Sequence, residues 1–235
     1  MKRIALLAAA LFILAAPARS ADPKLLQNMK GNVSYQTGAA AAKPLGPSAR
    51  IALQDKDTAI TGDDSLGQVL LPDTTKITMG ADTKVQLEFF NQAATTSASF
   101  IVYNGKMRFD VQHPNGAVAS YTFKTPSAQI AVRGTEGDIG VSGDELDLNV
   151  YHLGNPDNPV EVTTSDGKTL KILGGQSLVA KIVNGIVQAE VSKLEQDAID
   201  KFSGQFGVPT TIDELKQTVI NQAKQRLPGI GGFHL

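Results

Sequence analysis

The stretch Glu145-Leu146-Asp147-Leu148-Asn149-Val150-Tyr151 alternates strictly, with Leu146, Leu148 and Val150 on one side and Glu145, Asp147 and Asn149 on the other. Successive side chains of a strand point to opposite faces, so this pattern predicts one buried and one solvated face. Lys84-Val85-Gln86-Leu87-Glu88-Phe89 and Lys106-Met107-Arg108-Phe109-Asp110-Val111 repeat it. Shorter β-like runs lie at 32–35, 51–53 and 68–71.

Turn chemistry separates the runs. Asn104-Gly105 lies between residues 100–103 and 106–111, and Asp166-Gly167 lies between 160–163 and 169–173. Such dipeptides supply the positive φ of a type I′ turn, so both predict hairpins. Pro72-Asp73, Gly80, Pro114-Asn115-Gly116, Ser142-Gly143 and Asn184-Gly185 suggest further turns. The spacing predicts an all-β domain over residues 30–187, a sandwich or solenoid-like build of many short strands.

From residue 188 the period changes. Val191, Leu194, Ala198, Ile199, Phe202 and Phe206 follow helical spacing, as do Ile212, Leu215, Val219, Ile220, Ala223 and Leu227. Gly207-Val208-Pro209 breaks the pattern, and Thr211-Ile212-Asp213-Glu214 reads as a capping box. Residues 188–227 are therefore expected to hold two amphipathic helices that pack on the β domain or on each other. A partner or oligomer interface is the alternative. Residues 228–235 read as a flexible tail.

At the other end, Lys2 and Arg3 precede an apolar run from Ile4 to Ala16, then Pro17 and Ala18-Arg19-Ser20. Thirteen apolar residues fall short of the roughly 20 that span a bilayer. Residues 1–20 therefore read as a secretory signal peptide cut between Ser20 and Ala21. Removing Lys2, Arg3 and Arg19 turns the formal charge of −1 into −4. An acidic chain offers no electrostatic attraction to nucleic acid or anionic lipid. The expected location is periplasmic or secreted, with no membrane span in the cleaved chain.

The chain has no cysteine and no tryptophan. That excludes disulfides, thiolate metal sites and a cysteine nucleophile. His113, His152 and His234 show no metal-pair spacing and read as turn or surface residues. Gly167-Lys168-Thr169 lacks the first glycine of a phosphate loop, since Val162 stands there. Asp55, Asp57, Asp63 and Asp64 lack the ligand run of an EF-hand and read as solvated turn residues. No catalytic, cofactor or metal constellation is assigned. A carbohydrate-active enzyme stays open as a remote alternative, because carboxylate separation is a three-dimensional property.

One segment stands apart: Thr125-Pro126-Ser127-Ala128-Gln129-Ile130-Ala131-Val132-Arg133-Gly134-Thr135. Pro126 is expected to start a strand, with Ile130 and Val132 toward the core. Arg133 beside Gly134 then places a large cation where the backbone can bend. Two roles are open for Arg133: a buried structural pair, which is preferred, or presentation to a partner.

This segment resembles the T-P-x-A…V-R-G-T hallmark of the FecR domain family, carried here by Thr125, Pro126, Val132, Arg133, Gly134 and Thr135. Thr61-Gly62-Asp63-Asp64-Ser65 with residues 68–77, Asn104-Gly105-Lys106-Met107-Arg108, and Gly174-Gly175-Gln176 resemble further family steps. Thr74 stands where the family usually has glycine, so that turn is expected to be built differently. The resemblance spans roughly residues 30–183 and implies an exported, all-β, non-catalytic module for binding or sensing in the cell envelope. Known members carry a cytoplasmic anti-sigma segment and a spanning helix. Here the signal peptide abuts the domain, so neither is expected. The resemblance implies another envelope protein or a glycan as partner, and no cofactor. A cell-envelope scaffold self-associating through the C-terminal helices is the alternative.

Overall fold

A computed structural model describes residues 23–92, 95–112 and 119–206. The signal peptide expected at residues 1–20, with Ser20 and Ala21, His113, the turn expected at 114–116, His234, the helix expected at 212–227 and the tail expected at 228–235 lie outside them.

The described chain is mostly strand, ending in one helix. The strands form two sheets that share a single long strand, β9 (Thr96–Asp110). The first sheet runs β4 (Arg50–Ala52), β1 (Leu25–Lys30), β6 (Leu66–Leu70), β7 (Lys76–Met79), the second half of β9, β12 (Thr135–Ser142), β13 (Glu145–Leu153), β16 (Gln176–Val183), β17 (Ile186–Lys193). The second runs β3 (Lys43–Leu45), β2 (Val33–Thr37), β5 (Asp57–Thr61), β8 (Lys84–Gln92), the first half of β9, β10 (Ala119–Lys124), β11 (Ala128–Val132), β14 (Val160–Thr164), β15 (Thr169–Ile172). Every pairing is antiparallel except β9 with β10. Beyond the first two strands of each sheet, neighbours follow chain order, as in a solenoid. The two sheets also share one hydrophobic core, as in a sandwich.

Leu146, Leu148 and Val150 are fully buried, as the alternation predicts. So are Met107, Phe109, Phe100 and Phe123. Phe123 stacks on Phe100 at 5.6 Å and meets Phe109 at 5.2 Å, bridging the sheets at the point where β9 passes between them.

The hairpin expected at Asn104-Gly105 does not form. β9 runs straight through it, pairing with β8 up to Asn104 and with β12 from Gly105 onward. Gly105 takes φ +97, and a Cβ there would lie 2.4 Å from Thr83 Cα. The glycine bends one strand from sheet to sheet and closes no turn. Thr83 pins the bend, its hydroxyl accepting from the Lys106 N–H and donating to the Lys106 carbonyl, both at 3.0 Å. The true Asn-Gly hairpin is at 184–185, where both residues have positive φ, +52 and +78. The hairpin expected at Asp166-Gly167 forms, but only Gly167 takes positive φ, +88, and the Thr164 N–H closes a three-residue loop on the Lys168 carbonyl at 2.9 Å, so the turn is not of type I′.

Val191, read as the start of a helical face, lies on β17. The helix α1 spans Gln196–Phe206. It buries Ile199 and Phe202 completely, as an amphipathic helix packed on the β domain should. Phe202 sits over Gly140, where a Cβ would come within 3.0 Å of its ring. The Lys106 ammonium donates to the Lys201 carbonyl at 2.6 Å, and Asn149 Nδ2 to the Ala198 carbonyl at 3.0 Å. α1 thus covers the outer face of β9, β12 and β13, the face the alternation marked as solvated.

Candidate functional site

Two regions hold the charged and motif residues. The first is the motif itself. Thr125 Oγ1 accepts from the Ala128 N–H at 3.1 Å and donates to the Ala128 carbonyl at 3.0 Å, locking the bend between β10 and β11. Pro126 is exposed within that bend, two residues before β11, and does not begin the strand. Val132 is fully buried. Arg133 and Gly134 then carry the chain from one sheet to the other, with Gly134 at φ +64. The Gly134 carbonyl accepts from the Gly154 N–H at 2.6 Å, and the Thr135 carbonyl from Val111 at 3.0 Å. Thr135 is buried, its hydroxyl lacking a partner among the described residues. Arg133 is half-buried and makes no hydrogen bond or ion pair to another described residue. Beside the crossing lies an open groove of about 340 Å³ lined by Tyr151, His152, Leu153, Pro156, Leu173 and Gly174.

In the second region, sequence reasoning places only Arg108 in a family step, at the end of Asn104–Arg108, and gives it no role. Beneath α1, Arg108 grips Asp138 with both arms of its fork, Nε to Oδ1 at 2.7 Å and a terminal nitrogen to Oδ2 at 3.0 Å. The two residues face each other directly across β9 and β12. Tyr151 donates its hydroxyl to Asp138 Oδ2. Its ring centroid lies 4.7 Å from the guanidinium carbon, a cation–π contact. Phe206 of α1 approaches the same guanidinium at 5.9 Å, and Glu136 at 3.9 Å. A bulge between Glu136 and Gly137 makes Tyr151 the extra residue of β13 and aims its ring at Arg108. Gly137 must lack a side chain, since a Cβ would lie 2.3 Å from the Asn149 carbonyl oxygen.

Burial pushes the Asp138 carboxyl up against the pull of the Arg108 fork, and it pushes Glu136 up as well. Burial also works against the Arg108 cation, but the hydrogen bonds and charge of Asp138 outweigh it and hold the guanidinium above its ordinary value. The Tyr151 phenol is raised by burial. With Asp138 wholly buried and both its oxygens engaged, this cluster can hold the sheet and the helix together but cannot reach a substrate. The row continues to Asn149, which accepts from Ser177 at 2.9 Å.

Several other acids are also held within the fold. Asp73 is buried and accepts from the Tyr121 hydroxyl at 2.7 Å and from the N–H and hydroxyl of Thr75, each at 3.1 Å. Burial pushes the Tyr121 phenol up. Next to Asp73, Thr74 takes φ +69, a backbone that glycine adopts freely and a β-branched residue rarely does. The turn keeps a glycine-like backbone in spite of the threonine. Of the acidic cluster, Asp55 and Asp64 pair with Lys24 and Lys30. Asp57, expected in solvent, is buried and receives the Gln54 N–H at 2.9 Å. No group of three or more His, Asp or Glu side chains among the described residues is placed to hold a metal.

Residues 57–152 match the family model described as FecR protein. That span contains both the crossing and the Arg108–Asp138–Tyr151 cluster. Two crystal structures of a candidate anti-sigma factor from Parabacteroides distasonis ATCC 8503 are similar, each at 16% identity, with TM-scores of 0.47 and 0.48. They cover 60% and 61% of this chain, and the similarity spans 63% of theirs. A comparison with curated proteins finds no match. No helix among the described residues is long and apolar enough to cross a membrane.

Proposed function

We propose that this chain is an exported, non-catalytic FecR-like β module that binds or senses in the bacterial cell envelope, with another envelope protein or a glycan as its partner. The observation that carries the reading is Arg133. It is the one cation of the family motif, it stands where the chain crosses between sheets, and no described residue engages it. A half-buried arginine that no described residue engages suits an acidic or hydroxyl-bearing ligand, which it can grip with its planar fork. The N-terminal targeting pattern supports a periplasmic or secreted location, and the acidic balance speaks against nucleic acid. A scaffold built through the C-terminal helices is the weaker reading, because α1 spends Ile199 and Phe202 on its own sheet.

The test is capture from envelope extract with the wild-type chain and with Arg133→Ala as paired baits. A specific component held by wild type and lost on Arg133→Ala, with the thermal melt unchanged, is the expected result. Equal capture by both baits would show that Arg133 is not the contact.

A further inference from the structure

The two ends of the strand array are finished differently. At the N-terminal end the edge strands are β3 and β4, each three residues long, and β3 carries Pro44. Short edges and edge prolines are how sheets avoid pairing with another chain. At the C-terminal end the edge of the first sheet is β17, eight residues long, which pairs with β16 alone among the described residues. The last hairpin carries large exposed apolar side chains: Val179 at 41%, Ile186 at 64% and Val191 at 38%.

The core continues out to this edge. Val187, Ala189 and Val191 stand opposite Ile182, Ala180 and Leu178, of which Ala180 and Leu178 are fully buried. These three residues therefore share the core-facing side of the sheet. They also hold the free backbone groups. In a two-residue hairpin the pair flanking the loop is hydrogen-bonded, here Val183 with Ile186, and the two kinds of pair alternate from there. Val187, Ala189 and Val191 then fall in the non-bonded pairs and turn their N–H and C=O groups to the open edge. The phase is checked on the other side of β16, where the Ile182 N–H donates away from β17 to Asp144 at 3.3 Å.

We propose that β17 is a homodimer edge, pairing antiparallel with β17 of a second copy about a two-fold axis at Ala189. In that register Ala189 faces the partner's Ala189, Val187 faces the partner's Val191, and Gln188 faces the partner's Glu190. Three facing pairs exchange about six hydrogen bonds, and the apolar row becomes continuous with no like charges opposed. The neighbouring registers are worse. Centring on Glu190 opposes two carboxylates, and centring on Gln188 sets Ile186 against Glu190. A shift by one residue would put apolar side chains opposite polar ones. This fit of the strand to itself is what selects a second copy over an unrelated partner. It does not rest on the reading given to Arg133.

The test is sedimentation of the full chain over a concentration series, with Val191→Lys and Ala189→Cys as variants. Wild type is expected to dimerise reversibly. Val191→Lys, which sets an ammonium against Val187 twice per dimer, should weaken association at least about tenfold. Its thermal melt should stay near wild type, because Val191 is partly solvated in the monomer. The chain has no cysteine, so Ala189→Cys reports the axis alone and should oxidise to a covalent dimer. A wild type that stays monomeric up to about 500 µM, or a dimer that Val191→Lys leaves intact, would overturn the proposal. An Ala189→Cys dimer that forms no disulfide, together with loss of association on Val191→Lys, would place the axis elsewhere on β17 and overturn this register.

Discussion

Arg108 and Arg133 both lie in the span that matches the FecR family model and meet opposite fates. Arg133 belongs to the motif that carries the resemblance, yet it is half-buried and unengaged by any described residue. Arg108 ends a lesser step of the resemblance and reads as one more polar residue of an alternating strand, yet it is buried, forked onto Asp138, roofed by Tyr151 and closed over by Phe206. The difference is what covers each position. A sheet face becomes interior when a helix lies on it, and a charge on that face must then find a partner. A crossing between sheets stays at the rim, where a cation can remain free. The structural guanidinium is therefore the one outside the V-R-G-T hallmark, at the end of the Asn104–Arg108 step.

The sharpest way to break this contrast is to remove Arg108. Arg108→Ala leaves the Asp138 carboxylate buried without its cation and is expected to cost about 3–5 kcal/mol in a denaturant melt. Replacing both partners by apolar residues, Arg108→Met with Asp138→Leu, should recover most of that loss, because no uncompensated charge remains. A single mutant within about half a kcal/mol of wild type would mean that water reaches Asp138 and that the two arginines are alike.

The next largest effect tests the cover. A chain ending at Lys193 keeps every described strand but loses α1, exposing Asn149, Gly140 and the Arg108–Asp138 pair. Burial of Ile199 and Phe202 contributes about 1.5–3 kcal/mol each before helix ordering is subtracted. The net loss should be about 2–4 kcal/mol, with a cooperative β-type melt retained. If the shortened chain is unfolded, the helix completes the domain and does not merely roof it.

Much of this arrangement is legible in the sequence. The alternation at 145–151 places Leu146, Leu148 and Val150 correctly because period two is a local property of strands. Asn104-Gly105 misleads because the same positive φ that closes a hairpin also bends a continuous strand, and only pairing partners distinguish the two. Val191 misleads because a β-strand edge followed at once by an amphipathic helix can imitate one longer helical period. Arg108 is inconspicuous because its partner, Asp138, is thirty positions away and meets it only through strand register. A signal is nevertheless present. Residues 196–206 have an apolar face that needs a sheet to cover, and Arg108, Asp138 and Asn149 stand on the faces left over by the inward alternation.

A smaller effect separates motif geometry from motif chemistry. Thr74 occupies an exposed position at φ +69, where a β-branched residue is strained by about 1–2 kcal/mol. Thr74→Gly relieves that strain and gives back part of it through the freer unfolded chain. The expected outcome is a net gain of about 0.5–1 kcal/mol, read as a higher denaturant midpoint at unchanged slope. A loss instead would mean that the threonine side chain supports the Asp73 turn in a way its exposure does not suggest.

The smallest expected change in stability is the one that decides what the motif cation is for. Arg133→Ala removes no hydrogen bond or ion pair to a described residue, so its midpoint should lie within about 0.5 kcal/mol of wild type, as for ordinary surface substitutions. Some loss can come from its aliphatic stem, which is half-buried and covers apolar surface. Arg133→Lys keeps most of that stem and the charge while losing the planar fork, so it separates the contributions. If packing matters, Arg133→Ala alone falls below wild type and Arg133→Lys recovers it. If the fork matters for a ligand, both variants melt like wild type and both lose capture of the partner. A loss of several kcal/mol in Arg133→Ala would place Arg133 beside Arg108 as a structural cation, and the contrast between the two regions would fail.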